Sequence, residues 1–146
     1  MVRLLVHRTS LMDPEVHLSP EPSECCFACG ARNTNGLQLK FHSAGSTARA
    51  EWCPSATWDG YRHITHGGVV STVLDEAMCE AILFTGHRGV TCDLGVRLRV
   101  HVEPGESLSV VGWVVDKRKR RIRTEATLTS IDGHEKAPAW ATFLAI

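Results

Sequence analysis

The 146-residue chain is 43% hydrophobic, enough for one domain that buries roughly two thirds of the surface its unfolded form exposes. Lys plus Arg and Asp plus Glu number 16 each, so no net field draws the molecule to nucleic acid or to an anionic membrane. No apolar run approaches the roughly 20 residues of a membrane span, and the opening MVRLLVHRTSLMDPE carries too short an apolar stretch for a secretion signal. The expectation is a cytoplasmic protein with neither membrane nor nucleic acid as partner, and its six cysteines are then read as thiols.

Residues 1–24, with three prolines and no sustained period, read as a loosely held arm ahead of a domain over residues 25–146. In the next stretch, CCFACGARNTNGLQLKF, Cys26-x-x-Cys29-Gly has the form of half a metal knuckle. A structural zinc site wants four ligands, usually from two such pairs. No second pair exists, which leaves Cys53, His42 or His63 as improvised partners. The reading adopted is a turn with small packed thiols and no metal.

From Gly36 the pattern becomes strand-like. LQLKFHS alternates, an Ala44-Gly45-Ser46 turn follows, and TARAEWC alternates again, which predicts an antiparallel hairpin. Pro54 ends the second strand, and Pro54–Ile64 reads as a loop anchored by Trp58 and Tyr61.

The stretch THGGVVSTVLDEAMCE, Thr65 to Glu80, organises the rest. Its histidine and two glycines lead into a periodic apolar segment, predicting a helix from about His66 to Thr85 whose free N–H groups lie beside an imidazole. Val69, Val70, Val73, Leu74, Ala77, Ala81 and Phe84 share one face at about 100° per residue, and Ser71, Thr72, Asp75 and Cys79 share the other. Glu76 and Glu80 fall on the margin between them, Glu76 as a solvated edge residue or a partner of Asp75 in the chemistry.

Gly86–Gly89 stops the helix. Four further strands are expected near Val90–Val102, Ser107–Asp116, Arg121–Ser130 and Glu135–Ala145, with turns at Glu103–Glu106, at the basic run Lys117–Arg120 and at Asp132-Gly133. The sum is an α+β domain, a six-stranded antiparallel sheet curled around one long helix. His101 with Arg97 and Arg99 reads as one face of a strand, and the four tryptophans as core or interface packing. No GxSxG nucleophile elbow occurs.

The CFACG…N…GLQLKF stretch, His66-Gly67-Gly68, the LDEAM run with Asp75, and GVTCDLGVRLRVHVEPGE together resemble the hotdog-fold acyl-CoA thioesterases, in particular the phenylacetate-pathway type. The resemblance runs from about Cys26 to the C-terminus. It implies homodimers formed edge to edge, often paired into tetramers, with active sites at the dimer interface and coenzyme A as part of the substrate rather than a resident cofactor. It also implies roles: Asp75 as general base or nucleophile, the Gly68 N–H polarising the thioester carbonyl, His66 supporting it, and Thr91 positioning water.

Gly67, His63 and Glu76 would border the substrate. Lys117, Arg118, Lys119 and Arg120 would either meet the phosphates of coenzyme A or merely keep a hairpin turn solvated. One position departs from the family pattern. Several relatives carry Asn or Gln six residues before the HGG histidine, and Gly60 stands there. The alternatives carried forward are a dehydratase or hydratase on the same fold, and a non-catalytic acyl-CoA binder.

Overall fold

The computed structural model describes residues 21–146; residues 1–20, most of the expected arm, lie outside the described part. Strands β1 (His42–Ala44), β2 (Thr47–Trp52), β3 (Asp59–Tyr61) and β4 (Ile64–Thr65) precede helix α1 (Gly67–Phe84). After it come β5 (Gly89–Val96), β6 (Leu108–Arg118), β7 (Arg121–Ser130) and β8 (Glu135–Ala145). Six strands form an antiparallel sheet in the order β1-β2-β6-β7-β8-β5, and β3 pairs with β4 alone. The fold is the α+β arrangement expected, one main helix on a six-stranded sheet.

Helix α1 packs against β2, β5, β6, β7 and β8, so five of the six strands of the sheet cover its inner face. Val70, Val73, Leu74, Ala77, Met78, Ala81 and Ile82 are buried. The arc is shifted from the sequence reading: Met78 and Ile82 belong to it, whereas Phe84 is 41% exposed. Beneath the helix, register places Ala48 opposite Gly112, Gly112 opposite Ala126 and Ala126 opposite Ala139. This row of small side chains crosses four strands and lets the helix sit close to the backbone of the sheet.

Three expectations about strands need correction. The first predicted strand is cut to His42–Ala44 because Gln38 takes a left-handed conformation, φ 55°. The Leu37 and Leu39 N–H groups donate instead to the carbonyls of Phe27 and Ala28, and both leucines are buried in the core. Strand β5 stops at Val96 rather than Val102. The Arg97 N–H still donates to the Pro138 carbonyl, but Pro138 has no N–H with which to continue the ladder. Beyond the strand, Arg97 and Arg99 still lie on one outer side of the sheet and line one cavity with Trp140 and Glu135: Arg97 stacks on Trp140 at 5.5 Å and Arg99 pairs with Glu135 at 2.8 Å, while His101 faces Glu103. Lastly, the segment expected as a plain loop contains the short β3–β4 hairpin.

Candidate active site

His66 caps helix α1. Its Nδ1 accepts the Gly68 N–H at 2.9 Å, while its own N–H donates to the Trp58 carbonyl, fixing the approach of the chain to the helix. Since Nδ1 is the acceptor, the neutral ring carries its proton on Nε2, which is left as a donor. Gly60 packs beneath this ring: a Cβ added there would stand 3.2 Å from His66 Cα and Cδ2. The residue that departs from the family pattern is therefore the one that makes room for the imidazole. Gly67 is less constrained: a Cβ on it would meet only the tip of the exposed Leu98 side chain, at 2.7 Å from Cδ1.

Ser71 and Thr72 donate their hydroxyls back to the carbonyls of Gly67 and Gly68. Both are thus engaged within the helix. His63 occupies the tip of the β3–β4 hairpin with φ 64°, its N–H bound to Asp59 Oδ2; a left-handed turn position of this kind is one that glycine fills most easily.

Asp75 projects from mid-helix toward β5, where the Thr91 hydroxyl donates to its Oδ1 at 3.0 Å. A bulge between Thr91 and Asp93 interrupts the pairing of β5 with β8. Thr91 is the partner of core residue Phe143, so it faces the helix, and the extra residue Cys92 turns Asp93 outward to solvent. Burial raises the Asp75 carboxyl above its ordinary value, and the Thr91 hydrogen bond opposes that rise. A carboxylate held partly dry, with one hydroxyl on it, is a competent proton acceptor or nucleophile.

The expected residues form separate groups within one chain. Asp75 and Thr91 meet, and His66, Gly67 and Gly68 meet with Gly60. Glu76 belongs to neither group: it turns to the Cys26–Cys29 turn, Cys26 Sγ lying 3.9 Å from its Oε1. None of Cys53, His42 and His63 is in that cluster. The partner of the CxxC turn, 50 residues away in sequence, was beyond any local signal.

The basic run also divides. Lys117 and Arg118 end β6, Lys119 takes the left-handed turn position, and Arg120 Nε donates to the Ala145 carbonyl. A cavity of 210 Å³ is lined by Asp116, Arg118, Arg121 and Arg123. Arg121 and Arg123 were not among the expected binding residues. The signal for them is the two-residue turn, which makes Arg118 and Arg121 cross-strand partners and Asp116 and Arg123 another such pair. Arg118 and Asp116 also form an ion pair at 3.0 Å.

The thioesterase superfamily family model matches residues 63–137, just over half of the chain, and spans both the helix cap and the acid. The chain belongs to the thioesterase superfamily, in its hotdog-fold form. Among solved structures, a thioesterase superfamily protein superposes with a TM-score of 0.75 at 22% identity, covering 79% of this chain but only 60% of that one. A Streptococcus mutans protein bound to acetyl-CoA gives 0.70 at 19% identity over 74% of this chain and 88% of its own. Zebrafish thioesterase superfamily member 2 gives 0.70 at 18% identity over 80% and 91%. Among curated proteins no sequence matches significantly.

Proposed function

We propose that the protein is a phenylacetate-type acyl-CoA thioesterase of the cytoplasm, acting at a site that two copies share. The observation that carries the reading is the Thr91–Asp75 hydrogen bond beside β5, a terminal strand of the sheet. Helix rise is about 1.5 Å per residue, so Asp75 lies roughly 13 Å along the axis from the helix start. One chain cannot bring both to one carbonyl. A second copy joined along the free edge of β5 offers its own helix start to the first copy's acid, and such an edge seeks a partner for its unpaired N–H and C=O groups. Leu94, Leu98 and Val100, all exposed, extend that edge with an apolar surface, and two such dimers give the tetramer.

Water, held by Thr91 and Asp75, attacks the thioester carbonyl and passes its proton to the carboxylate. The developing oxyanion is met by donors at the partner's helix start, each worth about 3–4 kcal/mol. Because Nδ1 of His66 holds the Gly68 N–H, the imidazole either swings aside to release it or presents its own Nε2–H. Collapse of the tetrahedral adduct breaks the C–S bond and expels the thiolate, a leaving group that requires no strong acid. The reaction asks for no resident cofactor or metal.

A second reading, a non-catalytic acyl-CoA binder, draws on the same cap: Gly60 supplies no side-chain amide, and the Gly68 N–H has a partner. Thiol release from a panel of short-chain, long-chain and aryl acyl-CoA thioesters, followed with a disulfide reagent, separates the two. For the thioesterase, Asp75→Asn lowers kcat by orders of magnitude while binding of a non-hydrolysable acyl-CoA persists. Wild-type binding without thiol release across the panel selects the binder, and undiminished turnover by Asp75→Asn removes that residue from the chemistry.

A further inference from the structure

The second cluster on helix α1 stands apart from the acid and the cap. The Cys26–Cys29 turn is closed by Gly30, whose N–H donates to the Cys26 carbonyl at 3.0 Å. A Cβ on Gly30 would lie 2.3 Å from the Cys26 nitrogen, so only glycine permits this turn. The two Sγ atoms and a Glu76 carboxylate oxygen lie within 4.8 Å of one another. Cys79 and Glu80, three and four residues beyond Glu76, share its helix face and line the same 190 Å³ cavity. Arg88 also borders the cavity and pairs with exposed Glu21 at 3.8 Å.

We propose that Cys26, Cys29 and Glu76 bind a thiophilic divalent cation of the zinc type, its fourth position open to Cys79, Glu80 or water. Two sulfurs with a carboxylate favour zinc over magnesium or calcium, which take all-oxygen shells. The edges of a tetrahedron with zinc–sulfur and zinc–oxygen bond lengths are about 3.5–3.8 Å, so side-chain shifts of about 1 Å close the set. Binding releases the two thiol protons to water and forms two metal–sulfur bonds and one metal–oxygen bond, with no change of oxidation state. The cation would clip the segment that carries buried Ala28, Leu37 and Leu39 to the middle of the central helix.

The test uses the full chain, reduced with a phosphine, stripped of metal and titrated with Co²⁺ and then Zn²⁺, and none of its readouts depends on thioesterase activity. The expected result is one Co²⁺ per chain, with near-ultraviolet thiolate-to-cobalt charge-transfer absorption and tetrahedral visible bands that Zn²⁺ bleaches. Cys26→Ser and Cys29→Ser lose those bands, and Cys53→Ser and Cys92→Ser, at exposed thiols, keep them. In the wild-type protein, which removes any question of variant folding, Zn²⁺ slows alkylation of Cys26, mapped by mass spectrometry, by about tenfold or more. Absence of the sulfur bands, bands that survive in Cys26→Ser and Cys29→Ser, or unchanged alkylation would each overturn the site.

Discussion

Gly112 of β6 lies so close beneath Ala77 of the central helix that a Cβ on it would stand 2.3 Å from the Ala77 carbonyl oxygen. The obstacle is backbone, which no rotamer change can relieve. Gly112→Ala therefore has to lift the helix or shift the strand, and overpacking of this kind costs about 1–3 kcal/mol. Urea unfolding should show a lower midpoint with an unchanged slope. An unchanged midpoint would mean that the helix rides higher than described.

This contact also marks what could be read from the residues in advance. The hairpins from β6 to β8 were legible because Arg121–Ser130 and Glu135–Ala145 alternate and a Gly-containing turn separates them. The helix was legible from its period and its His-Gly-Gly start. The Ala48–Gly112–Ala126–Ala139 row was not, since it exists only once four strands are in register. Gln38 misled for a different reason: its side chain donates to the Gly30 and Asn33 carbonyls, and this contact with the preceding turn outweighs the alternating pattern around it. Of the candidate site, helix periodicity put Asp75 on the polar arc, whereas only resemblance set Thr91, 16 residues away, beside it. The bond of His66 to Gly68 depends on a ring orientation that no spacing encodes.

Thr91 favours the ionised form of Asp75, while burial favours the neutral form. If the carboxylate is the base, turnover falls away as pH drops through a value above the ordinary aspartate range. Thr91→Val removes the hydrogen bond that lowers the pKa and should move this acid limb to still higher pH. It should also reduce kcat by roughly 10- to 100-fold, in keeping with a hydrogen bond to a charged group worth about 1.5–3 kcal/mol. Profiles of kcat against pH for both proteins, with a chelator present so that Glu76 carries no cation, provide the check. A limb that stays in place would separate Thr91 from the titrating group.

His66 combines two roles that substitution can divide. As the N-cap it satisfies a helix N–H, and loss of such a cap typically costs about 0.5–2 kcal/mol. As a donor through Nε2 it would act on substrate. Asparagine caps helices well but does not place a donor where the imidazole does. His66→Asn should therefore keep the thermal midpoint near wild type and lower kcat about 100-fold, the scale of a lost carbonyl-polarising donor. His66→Ala should lose both stability and turnover. Full activity in His66→Asn would reduce the histidine to a cap.

Arg118 and Arg121 face each other across the β6–β7 turn, and their position relative to Thr91 sets what the basic hairpin can reach. Thr91 pairs with Phe143, and Phe143 with Ile122. With strands about 4.8 Å apart, Ile122 lies roughly 10 Å from the Thr91 backbone at the same end of the sheet. A coenzyme A tail extending from a thioester near Asp75 can reach the arginines over that span. Arg121→Glu should then raise KM for acyl-CoA, more at low salt than at high salt, and leave kcat largely unchanged. The same variant should handle an N-acetylcysteamine thioester, which has no phosphates, as the wild type does. An equal loss on both substrates would mean that the charge reversal disturbs the hairpin itself, and no loss on either would return the basic run to a solvated turn.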